Sequence, residues 1–156
     1  MKEAATIHKR AESVLVVVYT HDGKVLLMRR VDHPEFWQSV TGSLAWDETD
    51  PRDTAIRELA EETGITEISG LCDLEIDNDY EIFPEWRHRY APGTTRNTEH
   101  VFVLELPSIV PVQLNPDEHF DYRWLEFDSA IALATSYTNR DAIQLVRDRV
   151  QGGVNG

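Results

Sequence analysis

Glu58, Glu61 and Glu62 fall within five residues, in the run Arg57-Glu-Leu-Ala-Glu-Glu-Thr-Gly-Ile65. On a helix, positions three and four apart are neighbours, so the three carboxylates share one face. Like charges at that spacing oppose the helix by about 0.2–0.5 kcal/mol per pair. The cost is small, but it asks for a compensating partner. Closely spaced carboxylates are the usual way to hold Mg²⁺, a hard cation that takes oxygen ligands and keeps several waters. A solvated acidic helix face is the plain alternative, and the triplet alone does not separate the two.

The elements that must carry these residues can be read from the hydropathy pattern. The run SVLVVVYT (13–20) is continuously apolar and β-branched, which predicts a buried strand. Asp22-Gly23 predicts a hairpin turn, and 25–30 the returning strand. FWQSVTGS (36–43) reads as a short strand entering a tight turn at Gly42. A helix follows, with Asp50 as cap, Pro51 in the first position and Asp53 completing a capping box. Ala55, Ile56, Leu59, Ala60 and Thr63 form its core-facing arc, the glutamates flank that arc, and Gly64 ends it. Further strands are expected at 67–83, 100–106 and 121–127, with a polar and aromatic connection at 84–99 and a loop at 110–119. Helices are expected at 128–135 and 139–150, capped by Asp128 and Asn139. Residues 1–8 and 152–156 are expected to be flexible. Strands interleaved with few helices predict an α/β (α+β) architecture, a mixed sheet covered on both sides, in a single domain over 1–156.

Bulk properties narrow the partners. The formal net charge is −13 over 156 residues, which argues against a nucleic acid polymer or an anionic membrane. It leaves room for a small anionic substrate if metal ions neutralise the site locally. One cysteine, Cys72, permits no intramolecular disulfide and fits a reducing cytoplasm; it is expected to be a small buried filler. No apolar run resembles a signal peptide or spans a bilayer. The six histidines show no zinc-like spacing and are expected at neutral surface or loop positions.

The flanks of the acidic run sharpen the metal reading. Gly42, Glu48, Arg57, Glu58, Leu59, Glu61, Glu62, Gly64 and Ile65 resemble the Nudix box, the signature of the Nudix hydrolases: glycine, five residues, glutamate, seven residues, then Arg-Glu-apolar-x-Glu-Glu-x-Gly-apolar. One feature departs from it: eight residues separate Glu48 from Arg57, and the extra one is best placed at Thr49-Asp50, in the turn before the helix. The resemblance implies a Nudix fold, with a mixed sheet between helices, and hydrolysis of a di- or polyphosphate linked to another group, using Mg²⁺ or Mn²⁺ in its place. It assigns Glu58 and Glu62 as the principal metal ligands, and Glu61 as a third ligand or the base that activates water. It assigns Arg57 as the arginine that orients a glutamate, and the Gly42 carbonyl as a further metal contact.

Outside the box, FWQSVTGS (36–43), RHRYAPGTTRNTE (87–99) and SYTNRDAI (136–143) resemble the branch of the family that converts 7,8-dihydroneopterin triphosphate to the monophosphate and pyrophosphate in bacterial folate synthesis. That resemblance implies substrate contacts at Lys9, Arg29, Thr41, Tyr80, Glu81, Ile82, Phe83 and Ser136, and a distal glutamate, Glu118, that completes the metal site. Thr41 has a second reading as a bond to its own backbone. Arg87, His88, Arg89 and Arg96 suit either phosphate or the acids Asp77, Asp79 and Glu81. Phe36, Trp37, Phe83, Trp86 and Tyr90 are candidate neighbours of a pterin, or core residues. The expected partner is a small pterin or nucleoside triphosphate, with no protein partner implied. Two other functions stay open at this point: a Nudix enzyme cleaving (d)NTPs or dinucleoside polyphosphates, and a catalytically silent nucleotide-binding module.

Overall fold

Strand β1 (Glu12–Thr20) is buried on both faces, which is why its sequence is a continuous apolar run. Val14, Val16 and Val18 point into one core layer, Leu15 and Val17 into the other. The computed structural model that shows this describes residues 8–153; the expectations for 1–7 and 154–156 lie outside the described residues. The turn after β1 has Gly23 in the left-handed region at φ 85°, where a side chain would be strained. It leads into β2 (Lys24–Arg30).

The hairpin then splits. Its ladder is recorded at Tyr19↔Val25. Farther from the turn, β1 pairs with β4 (Val40–Ser43) and β2 pairs with β3 (Trp37–Gln38). On its other side β2 pairs with β7 (His119–Glu126), with a register shift between Arg29 and Arg30. β1 runs parallel to β6 (Arg96–Leu106), and β5 (Leu71–Glu81) pairs antiparallel with β6 at the sheet's margin. The result is a mixed seven-stranded sheet. Helix α1 (Pro51–Thr63) packs Ala55 and Leu59 into one layer. Helices α2 (Phe127–Leu133) and α3 (Tyr137–Gly153) supply Phe127, Ala130, Ala142, Ile143 and Val146 to the other. No described helix is long and apolar enough to cross a membrane.

Several local expectations are corrected. Gly42 is not a turn residue: it lies inside β4, opposite Val14. Ala60 is exposed, and Thr54, Glu58 and Glu62 are buried in its stead. The Asp50 carboxylate accepts from the Arg52 N–H at 3.0 Å, while Asp53 takes part through its backbone N–H. Glu126, not Asp128, precedes the first turn of α2. Asn139 lies inside α3, which runs on through the expected flexible residues 152 and 153. His8 and Lys9 are tied down as well. The His8 carbonyl accepts from Trp46 Nε1 at 2.8 Å, and the Lys9 N–H donates to the Arg89 carbonyl at 2.7 Å. Cys72 is exposed, because β5 has an outer face open to solvent.

Candidate active site

Glu58 and Glu62 stand one helical turn apart, on the face of α1 that packs against the sheet, 8% and 1% exposed. Gly42 makes room for the first of them. A Cβ added there would lie 2.2 Å from Glu58 Cδ, so the close approach, not the backbone angle, demands glycine. Glu61 turns outward: half its side chain is exposed and it meets Arg57 Nη1 at 3.2 Å.

Arg57 is the brace of this corner. Its Nε and Nη2 donate to the two oxygens of Glu48 at 3.1 and 2.8 Å, its Nη1 to Glu58 Oε1 at 2.7 Å, and its Nη2 to the Ser43 carbonyl at 3.1 Å. Glu48 is itself held by the Ala45 N–H and the Thr54 hydroxyl, at 2.8 and 2.9 Å. Hydrogen bonds from Arg57 keep its carboxyl at about 2, well below the usual range. With eight residues between them, Glu48 and Arg57 still meet.

Glu62 has no such support. Both of its oxygens are buried and lack a partner in hydrogen-bonding geometry; the Thr41 N–H is near enough to oppose the rise in its pKa without forming a full bond. Burial first, then the neighbouring Glu58 and Glu118 carboxyls, push its pKa well above the ordinary value. Glu118 arrives on the turn that opens at Asn115, its N–H bonded to the Asn115 carbonyl at 3.0 Å. Its own pKa is raised by burial and by Glu58. One ligand-capable atom from each of Glu62, Glu118 and His119 lies within 4.8 Å of the others. His119, expected at a surface or loop position, is instead buried. Its Nδ1 is unpartnered and 3.8 Å from Glu62 Oε1, and burial takes its pKa down to about 4. A buried carboxylate with no donor is costly, and a divalent cation would meet both needs, charge and ligation. The carboxylate oxygens of Glu58, Glu62 and Glu118 fit a hard metal.

A cavity of about 830 Å³ adjoins these carboxylates. Residues from both sides of the split hairpin line it, Leu15 and Thr41 on one side and Arg30 and Gln38 on the other. Its cations are Lys9, Arg30 and Arg89. Arg30 and Arg89 share Asp32, at 2.7 and 2.9 Å, and Arg30's guanidinium lies 4.7 Å from the Trp86 ring centroid. Burial, then Arg89 and Arg30, lower the pKa of Lys9, whereas Glu58 and Glu118 pull it up. Phe36, Phe83 and Trp86 form an edge-to-face group at the cavity wall, with centroids 5.4 Å apart in the two pairs that include Trp86.

Of the residues singled out from the sequence, Lys9, Thr41, Gly42, Glu58, Glu62, Tyr80, Glu81, Ile82, Phe83, Glu118 and Ser136 line this cavity. Arg57 and Glu61 stand behind it. Arg29 does not reach it: its guanidinium lies over Phe120 and Trp37, 5.0 and 5.7 Å from their centroids, and Nε donates to the Pro34 carbonyl. Neighbouring strand residues point to opposite faces, so Arg30, in the row of Leu26 and Met28, takes the place expected of Arg29. That two-residue row was readable in the sequence. The Thr41 hydroxyl donates to the Val14 carbonyl at 3.0 Å, and Ser136 Oγ accepts from the Asn139 N–H at 3.2 Å. Arg87 and Arg96 are paired with Glu81 and Asp79, each outside the cavity's cation set. Ser13, Asn97 and Glu99 also line the cavity; Ser13 was expected within the buried run 13–20 and Asn97 and Glu99 within the connection 84–99, and none was marked as a site residue.

Comparison with known proteins agrees with this geometry. The NUDIX domain model matches residues 9–146. The chain is 46% identical over 142 residues to the dihydroneopterin triphosphate diphosphatase of Escherichia coli K12, covering 88% of this chain and 93% of that protein. It is 44% identical over 142 residues to the protein of the same name from Haemophilus influenzae, covering 88% and 87%. The solved structure of the E. coli dihydroneopterin triphosphate pyrophosphohydrolase superposes with a TM-score of 0.82 at 44% identity, over 89% of this chain and 96% of that one.

Proposed function

The chain belongs to the Nudix family, and from that premise we propose that it hydrolyses 7,8-dihydroneopterin triphosphate to dihydroneopterin monophosphate and pyrophosphate, a step of folate synthesis. One observation carries the reading. A single cavity joins a carboxylate cluster whose buried member Glu62 is unpartnered, three cations and an aromatic wall, the needs of metal, polyphosphate and flat ring in turn. The substrate itself is supported by the 46% identity to a dihydroneopterin triphosphate diphosphatase.

Glu58, Glu62 and Glu118, with the Gly42 carbonyl, would hold Mg²⁺, and Mn²⁺ would serve in its place. When bound, such an ion neutralises phosphate charge and lowers the pKa of a coordinated water. The remaining work falls to the side chains. Arg30 and Arg89 exchange Asp32 for phosphate oxygens, and Lys9 adds a point charge beside them. Glu118, which lines the cavity, accepts a proton from water as its oxygen attacks phosphorus. The new P–O bond forms, the bridging bond between the α and β phosphates breaks, and its electron pair leaves with one of the two products. Arg57, held by Glu48 and Glu61, keeps Glu58 in place.

Pyrophosphate release from dihydroneopterin triphosphate should require Mg²⁺ and vanish in EDTA. Its kcat/KM should exceed those for dATP and dGTP. Equal or better turnover of either nucleotide would replace the pterin reading with a nucleotide one. Hydrolysis in ¹⁸O-labelled water will place the oxygen on one product and so identify the phosphorus attacked.

A further inference from the structure

The cavity wall on the α3 side of the sheet is polar and carries a buried acid. Glu99 is 4% exposed, and its neighbours are neutral: Asn78 Nδ2 donates to Oε1 at 3.3 Å, and the Thr138 hydroxyl is close by. Among the described residues no cation pairs with it. Two positions along β6, and so on the same face, Asn97 is 2% exposed. Its Nδ2 donates to Ser13 Oγ and the Tyr80 hydroxyl at 2.8 and 3.1 Å, while its Oδ1 is buried with no partner at all. Both residues line the cavity.

Asn97 Oδ1 is an unpaired buried acceptor, which is costly, and the Glu99 carboxylate beside it is held by neutral donors with no facing cation; such a wall calls for further neutral N–H donors. The 2-amino-4-oxopyrimidine half of a pterin offers two parallel N–H groups, N3–H and one hydrogen of the 2-amino group, spaced like the oxygens of a carboxylate. We propose that Glu99 reads this edge of the substrate ring, accepting from N3–H and the 2-amino group, with Asn97 Oδ1 accepting a further ring N–H. The assignment rests on the pterin reading of the function above and deepens it. It makes Glu99 a specificity-determining residue; the bond-breaking steps do not pass through it.

The decisive ligands are neopterin and its 2,4-dioxo counterpart, in which a carbonyl replaces the 2-amino group and would face the carboxylate. Neopterin should bind the wild-type protein about 10- to 100-fold more tightly in fluorescence titration, the worth of a hydrogen bond to a charged group. In E99Q that preference should collapse, and kcat/KM for dihydroneopterin triphosphate should fall by a similar factor, chiefly through KM. Affinities within threefold of each other in the wild type would overturn the assignment, and this arm does not depend on any variant folding. If dihydroneopterin triphosphate is turned over yet the two analogues bind alike, the reading of Glu99 fails alone. If the wild type neither binds neopterin nor hydrolyses the triphosphate, both readings fail together.

Discussion

Replacing Glu62 by glutamine should stabilise the metal-free protein while abolishing its turnover. Glu62 is buried, both its oxygens lack partners, and Glu58 and Glu118 crowd it. With ligand-capable atoms of Glu62 and Glu118 within 4.8 Å, two full charges repel by about 3 kcal/mol at an effective dielectric constant of about 20. Glu118 faces solvent on one side, which reduces the net effect to about 1–2 kcal/mol. For a chain of this length that is a rise in Tm of about 2–8 °C in EDTA at pH 8. The pH dependence has a definite sign. A carboxyl whose folded pKa is raised leaves stability intact below the unfolded value of about 4.3 and removes it as pH climbs toward the folded value. The metal-free wild type should therefore lose stability with rising pH above about 4.3, and E62Q should lose less. Added Mg²⁺ should raise the Tm of the wild type and do little for E62Q. Calorimetry across pH, with and without Mg²⁺, tests all three statements. A metal-free E62Q that melts below the wild type, or that gains as much from Mg²⁺, would refute the idea that Glu62 is held in an unfavourable state for a cation.

Other perturbations separate position from charge. Gly42→Ala puts a Cβ 2.2 Å from Glu58 Cδ; kcat should drop at least about 100-fold, as for any displaced catalytic group, with far-UV circular dichroism unchanged. Arg30→Ala should raise KM for the triphosphate about 10-fold or more, the loss of a charge-assisted bond, whereas Arg29→Ala should leave KM within about threefold; steady-state kinetics on the pair will reverse this order if Arg29 is the phosphate ligand. Glu118→Ala should lower kcat and shift the Mg²⁺ activation curve to higher concentration, and an unchanged titration would remove Glu118 from the metal site.

The sequence carried more of the α1 corner than of the far wall, for a physical reason. Asp50, Pro51 and Gly64 act within a turn of their own positions, so the limits of α1 were local information. β1 was equally plain, since burial on two faces leaves an unbroken apolar run. The glutamates were found as a group, but their division was not. Glu58 and Glu62 go inward and Glu61 outward because the arc that packs on the sheet is centred on Ala55, Glu58, Leu59 and Glu62. A hydrophobic scale places that centre nearer Ala60 and misjudges which acids are buried. Arg29 and Arg30 are neighbours on β2 and so point to opposite faces; of the two, Arg30 lines the cavity. Glu99 and Asn97, expected within the connection 84–99, were not marked as site residues for a different reason. Their burial comes from α3 and β1, elements far away in the chain: Ser13 stands opposite Glu99 in the β1–β6 ladder, and Thr138 approaches from the helix.

Why should one short helix hold three glutamates and only one arginine beside them? Arg57 answers by distributing its donors unevenly. Glu48 receives two of its bonds, Glu58 one and Glu61 a shared contact, while Glu62 receives none. The outer acids are thereby neutralised and fixed, and the charge deficit is concentrated on the carboxylate that faces the cavity. A flexible ammonium would serve this purpose poorly, because a point charge cannot hold Glu48 with a planar fork while reaching Glu58. The brace also explains how the additional residue at the start of α1 is tolerated. Glu48 is anchored by the Ala45 N–H, Thr54 and Arg57 together, three contacts that hold the carboxylate at both ends of the turn. Repulsion among these acids is thus the local cost of preorganisation: it is borne where the substrate's metal would bind and relieved everywhere else.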